Sequence, residues 1–176
     1  VNLVAAGVIA DVGALAQRAR RLGRHRYSIV GLWVMLKNPG YAFHITAGGQ
    51  VFDSRRINTV FANNNQFFGL NMRAAPRAHV DDGRMDVLVG RAMTRGQMLR
   101  TFANFATGEH WDDAAVPTMH ALQAAELVLR REQPYTLNID GEVYLAPGGE
   151  LRIVTVPKVL PVLTSPDIAT APSNAS

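Results

Sequence analysis

The stretch Tyr135-Thr136-Leu137-Asn138-Ile139-Asp140-Gly141-Glu142-Val143-Tyr144-Leu145 decides the architecture of this chain. Short strand-like runs flank Asp140-Gly141, a dipeptide that favours the positive backbone angles of a two-residue hairpin turn. Around it lie further short apolar runs, Ala121 to Arg130, Leu151 to Val156 and Val159 to Leu163, set apart by Gln-Pro, Pro-Gly-Gly and Pro-Lys. Upstream, Tyr41 to Thr46 and Gln50 to Asp53 read as a hairpin about Ala47-Gly48-Gly49. Ile57 to Ala62 reads as the next strand and Met85 to Val89 as another.

Helices are fewer. A short first strand ending at Gly7 leads into Ala10 to Leu22, apolar at near-helical spacing with Arg on the other face. Tyr27 to Leu36 reads as a second, buried helix stopped by Asn38-Pro39-Gly40, and Thr94 to Phe105 as an amphipathic helix capped by Thr94, with Gly108 beyond its end. Many short strands with a few helices specify an α+β class, a mainly antiparallel β-sandwich with helices beside it. From Thr164 the Ser, Pro, Asn and Ala residues carry no periodicity, so the expected organisation is one domain over 1–163 and a flexible tail over 164–176.

The 176 residues, 48% apolar and 18% charged, suit one such domain. The formal charge of +4 comes from Arg, densest at Arg18, Arg20, Arg21, Arg24 and Arg26. That cluster reads first as a solvated helix face and, without interleaved aromatics, not as a nucleic-acid surface. With no Cys there is neither disulfide nor thiolate chemistry. No apolar run approaches the ~18 residues of a membrane span, so membrane contact is expected to be peripheral. His25, His44, His79, His110 and His120 form no HxxxH or HxH pair, and no Gly-x-Ser-x-Gly elbow occurs.

Two acidic turns carry the site chemistry. Asp81-Asp82-Gly83 offers two carboxylates in a tight turn whose flanking carbonyls are oxygen donors of the kind Mg²⁺ takes. Asp140-Gly141-Glu142 places a carboxylate at the start of a return strand, where it is able to act as a general base. From the residues alone, plain turn chemistry is the simpler reading of both.

The ordered set Asn63-Asn64-Asn65 to Gly69, Ala75-Pro76, Asp82-Gly83, Gly108-Glu109-His110, Asp140-Gly141-Glu142 and Pro157-Lys158-Val159-Leu160-Pro161 resembles the C-terminal domain of the diacylglycerol kinase-like lipid kinases of bacterial type, a family with sphingosine and ceramide kinases. The resemblance implies transfer of the ATP γ-phosphoryl group to the hydroxyl of a lipid such as diacylglycerol. It implies Glu142 as proton acceptor, and a structural Mg²⁺ held by the Asp82 carboxylate with the carbonyls of His79 and Arg84. Asp140 and Asn65 would lie nearby. It further implies a lipid substrate, a peripheral membrane surface in the cytoplasm, possible homodimers, and a separate N-terminal nucleotide-binding domain.

Two departures stand beside it. The chain has no GGDGT-type phosphate loop, so it reads as cut from something longer and inactive alone, and only one glycine follows the Asn-rich turn. An apolar face left by the missing domain is then expected, with Val159 to Leu163 as its candidate. Trp33, Phe43, Phe61, Phe67 and Phe68 are candidates for an acyl-chain cleft. The competing reading is a non-catalytic sandwich module that binds a lipid or a protein partner.

Overall fold

The computed structural model describes residues 1–37, 39–68, 72–105, 107–111 and 116–159. In chain order the elements are β1 (Leu3–Gly7), α1 (Val8–Arg18), a 3₁₀ turn (Arg20–His25), α2 (Arg26–Lys37), β2 (Tyr41–Ala47), β3 (Gln50–Asn63), β4 (Met85–Arg91), α3 (Arg95–Asn104), a short 3₁₀ turn (Glu109–Trp111), β5 (Met119–Ala124), β6 (Glu126–Arg131), β7 (Tyr135–Ile139), β8 (Glu142–Ala146) and β9 (Gly149–Val154).

β3 organises the sandwich. The sequence reads its two halves as separate strands, but they form one strand of 14 residues shared by the two sheets of the sandwich, which are layers of a single curled nine-stranded hydrogen-bonded sheet. Its first half pairs with β2, which continues through β6 to β9; its second half pairs with β1 and β4, extending through β7 to β8 on one side and to β5 on the other. Every one of these pairings is antiparallel.

The change of sheet is made at a bulge. Ile57 lies opposite Arg91 and Thr59 opposite Gly90, leaving Asn58 as the extra residue. Asn58 is fully buried, donates from Nδ2 to the Pro39 carbonyl at 2.8 Å and accepts at Oδ1 from the Met93 N–H at 2.8 Å. Gly7 crosses this corner with φ 79°, and a Cβ there would lie 2.5 Å from the Asn58 carbonyl oxygen. The run Ala121 to Arg130, read as one strand, turns a separate corner at the other end of β4: β5 ends with Ala124 opposite Met85, and after Ala125 β6 pairs with β2.

Phe43, Ile45, Phe52, Val60, Val87 and Leu129 fill the space between the sheets, each large buried side chain contributing ~1.5–3 kcal/mol. Leu3, Ala5, Phe61 and Leu88 face the other way and pack with Phe105. Both faces of the second half of β3 are therefore covered, which is why Ile57 to Asn63 is continuously buried instead of alternating. Phe43 and Phe61 are core, not cleft, residues, being 2% and 1% exposed. α3 begins at the cap expected at Thr94, which forms a capping box: its Oγ1 accepts from the Gln97 N–H while its N–H donates to Gln97 Oε1 at 2.9 Å.

α2 departs from its expected burial. Val30, Val34 and Met35 pack with α1 and α3, whereas Ile29, Leu32, Trp33 and Leu36 remain about half exposed. Val159, expected to open a last strand, is exposed and outside any strand; residues 160–163 and the tail over 164–176 lie outside the described residues.

Candidate functional site

Antiparallel register brings the two acidic turns to one end of the same sheet. Leu3 lies opposite Asn63, Asn63 opposite Asp86, and Asp86 opposite Gln123, while Asp140 is bonded to Leu3. Residues spread over 138 positions thus form one row across β7, β1, β3, β4 and β5. On the opposite face of the same strands runs a second row, Glu142, Ile139, Val4, Ala62, Val87 and Leu122.

At the hairpin between β7 and β8, Asp140 and Gly141 have φ of 50° and 94°, the two positive angles that the dipeptide foretells. The Asp140 carboxylate accepts from the Asn2 N–H at 2.8 Å and from the Leu3 N–H at 2.7 Å, and its own N–H donates to the Leu3 carbonyl at 3.0 Å. Asp140 therefore holds the entry to β1. Buried Asn138 accepts from the Gly141 N–H at 2.9 Å and stiffens the turn from within. Glu142 begins the edge strand β8, solvent-exposed, and its carboxylate makes no hydrogen bond or ion pair with the described residues.

An open cavity of about 360 Å³ lies along the second row; Ile139 lines it, and Glu142 pairs with Ile139 without lining it. Val4, Ala62, Ile139 and Ile153 give it an apolar wall, and Asn2, Asn64 and Arg152 a polar rim. Another depression, about 390 Å³ between the β2–β3 turn and β6, contains Glu126 as its one titratable group, already paired with Arg152.

The turn over 81–84 is exposed and shaped by Asp82, whose Oδ1 accepts from the Arg84 N–H at 2.8 Å. Gly83 adopts φ 72° and packs against Pro157. Behind the turn stands Asp86, an acidic residue that the pattern of the sequence did not single out. It is 1% exposed. Burial pushes its carboxyl up to about 6; a hydrogen bond with Gln123 pulls back, and the charge of Asp82 raises it further. Oδ1 of Asp86, both side-chain polar atoms of Asn63 and Oδ1 of Asn64 are buried without hydrogen-bond partners. The signal for Asp86 was there to read, a lone carboxylate inside the apolar run Met85 to Val89.

Among the described residues no three acidic, His or Cys side chains gather into a metal-binding group. The donors present at the turn are the Asp82 carboxylate and the carbonyls of His79 and Arg84, with the unpartnered oxygen of Asp86 behind them. Hard oxygens and two mutually repelling carboxylates are chemistry that fits Mg²⁺. Asn65 lies half-buried in the bend after β3, next to Asn64, and His79 is exposed. The structure does not join Glu142 to Asp82, because β1 and β3 lie between β7 and β4 and separate those strands by about 14 Å.

Residues 2–164 match the family model described as the YegS C-terminal NAD kinase beta sandwich-like domain. The chain belongs to this family. A curated relative of this YegS-type domain, from Shewanella frigidimarina and named Probable lipid kinase YegS-like, is 28% identical over 174 residues, covering 95% of this chain and 52% of the relative. Among solved structures, a diacylglycerol kinase from Bacillus anthracis superposes with a TM-score of 0.52 at 13% identity, covering 88% of this chain and 46% of its own. A second Bacillus anthracis structure assigned to the same enzyme class gives a TM-score of 0.58 at 18% identity, covering 88% and 50%. At these identities the superpositions establish the fold alone. The YegS-type chain spans about half the length of the relatives it matches.

Proposed function

We propose that this YegS-type domain is the acceptor half of a lipid kinase, over residues 1–163, and works with an N-terminal nucleotide-binding domain to move the γ-phosphoryl of ATP to a lipid hydroxyl such as that of diacylglycerol. The observation that supports the reading is the pair of rows at one sheet end, which brings the Asn-rich bend, Asp86 behind the Asp82 turn and the Asp140-Gly141-Glu142 turn to the same end of the sheet, beside a cavity lined by Asn2, Val4, Asn64 and Ile139.

Glu142 is the proton acceptor. Exposed, and opposite the cavity-lining Ile139, it is free to approach a hydroxyl and take its proton as the new O–P bond forms and the bond to the leaving ADP breaks. The apolar wall of Val4, Ala62 and Ile139 seats the hydroxyl-bearing end of the lipid, while Asn2 and Asn64 offer polar groups at the rim. Asp140 acts on the mechanism through β1: by gripping the Asn2 and Leu3 amides it fixes the strand that forms one wall. Asn65 extends the polar bend.

Asp82, with the carbonyls of His79 and Arg84, would hold a structural Mg²⁺, and Asp86 supports them from behind. Bound there, Mg²⁺ supplies positive charge that relieves the carboxylate repulsion and stiffens the turn. The turn lies strands away from Glu142, so its residues shape the site and do not touch the transferred group.

The test joins this chain to its nucleotide-binding partner domain in the parent protein and supplies ATP, Mg²⁺ and dispersed diacylglycerol. Formation of the phosphorylated lipid supports the reading. ATP-independent lipid binding without phosphorylation assigns the chain to the non-catalytic alternative.

A further inference from the structure

α2 turns one face inward and leaves the other bare. Ile29, Leu32, Trp33 and Leu36, each 48–50% exposed, occur at i, i+3, i+4 and i+7 and so form a single stripe along the helix. Tyr27 and Leu22 extend it toward the preceding 3₁₀ turn, 47% and 42% exposed. Scattered apolar residues on a surface are ordinary, whereas a contiguous stripe on an outer helix marks a surface that meets something.

Charge identifies the occupant. Between Asp11 and Asp53 the chain contains six Lys and Arg residues and no Asp or Glu, leaving twelve basic and fourteen acidic residues elsewhere. The molecule's positive charge is therefore concentrated in the segment that carries the stripe. Cations bracket it: Arg20 and Arg21 are exposed at one end, and at the other the Lys37 ammonium sits 3.7 Å from the centre of the Trp33 ring. The Arg26 guanidinium lies 5.0 Å from the Tyr27 ring. Apolar side chains in a row with Trp33 among them, Tyr27 toward one end and basic residues at both ends suit the headgroup region of an anionic bilayer. A second copy of the chain fits poorly, because closing two stripes on each other brings two acid-free basic segments together. The 12-residue helix is about 18 Å long, too short to span, so it lies in the surface.

We propose that this face of α2 docks the protein on anionic phospholipid, with Ile29, Leu32, Trp33 and Leu36 entering the interface and Arg20, Arg21 and Lys37 meeting lipid phosphates. This deepens the lipid kinase reading by naming the surface through which the chain reaches its acceptor. Docking is measured without ATP, so its failure and the failure of phosphoryl transfer are separate results.

The test is co-sedimentation of the purified chain with phosphatidylglycerol–phosphatidylcholine vesicles and with phosphatidylcholine alone, followed also by Trp emission. The expected result is binding to the anionic vesicles that weakens with salt and shifts Trp emission to the blue. Trp33→Glu, and the pair Arg20→Glu with Arg21→Glu, should each lower the affinity at least 10-fold. Trp33→Ser should lower it in the same direction without adding charge, and Leu145→Glu, at an exposed apolar position on β8, should leave it unchanged. Melting curves that match the unsubstituted chain confirm that each variant folds. Absence of binding, equal binding to phosphatidylcholine, or undiminished binding by Trp33→Glu overturns the proposal. So does a dimer that Trp33→Glu dissociates in a chain that ignores vesicles.

Discussion

The carboxylate of Asp140 accepts the Leu3 N–H at 2.7 Å, tying the β7–β8 turn to the first strand across 137 positions of sequence. A second bond from the Asn2 N–H at 2.8 Å makes the grip two-pronged. Hydrogen bonds to a charged acceptor contribute about 1.5–3 kcal/mol each, so Asp140→Ala should destabilise the fold by about 2 kcal/mol or more in urea titration. Asp140→Asn keeps a side chain that tolerates the observed φ of 50° and should cost less. An Asp140→Ala variant as stable as the parent chain would remove the clamp.

Asn58 offers a parallel test at the corner between the sheets. Asn58→Ala removes the buried acceptor of the Met93 N–H, a loss of about 1–3 kcal/mol, and also the donor to the half-buried Pro39 carbonyl. The expected outcome is a loss of at least 2 kcal/mol, or failure to fold, whereas Asn64→Ala, a substitution away from that corner, should cost less.

Magnesium should act through the Asp82 turn. Addition of Mg²⁺ should raise the melting temperature of the chain, and Asp82→Ala should abolish that rise, because it removes the one side-chain donor in the set. Asp81→Ala should retain it. Identical Mg²⁺ responses from the two variants would argue against the turn as a metal site.

Acid sensitivity should come in part from His110. Its ring stacks on Phe105 at 4.0 Å and faces the carbonyls of Asn104 and Ala74, and burial holds its pKa below the ordinary value of 6.5. The unfolded chain then takes up a proton before the folded chain does. Stability is fully present above pH 6.5 and falls as the pH drops from there toward the folded-state value. His120, lowered chiefly by burial, adds to the same trend. Urea titrations of His110→Gln between pH 7.5 and 5 should therefore show a shallower decline than the unsubstituted chain, but not a flat one.

Features that rest on neighbouring residues were legible in the sequence. The positive angles at Asp140 and Gly141 follow from the dipeptide, and the cap of α3 from a Thr just before an amphipathic run. Features that rest on distant partners were not. Nothing local to Asn58 or Ala125 announces that β3 and the 119–131 stretch each cross from one sheet to the other, since the pairing strands lie far away in sequence. α2 is apolar nearly all round, so its periodicity reads alike whether one face is covered or bare. At the site, the two acidic turns were visible, but their arrival at one sheet end depends on the registers of β1 and β3. Asp86 went unmarked because a single carboxylate in a strand ordinarily points to solvent, whereas here β3 and β5 flank it.

The central claim is that Glu142 takes the proton from the lipid hydroxyl, and steady-state phosphorylation of dispersed diacylglycerol by the Glu142→Gln parent protein tests it most directly. The amide keeps the shape of the side chain and cannot accept the proton, so turnover should fall by roughly 10²-fold or more while the melting temperature and lipid binding stay unchanged. Turnover near that of the unsubstituted enzyme would contradict the account and leave Glu142 as the first residue of an edge strand.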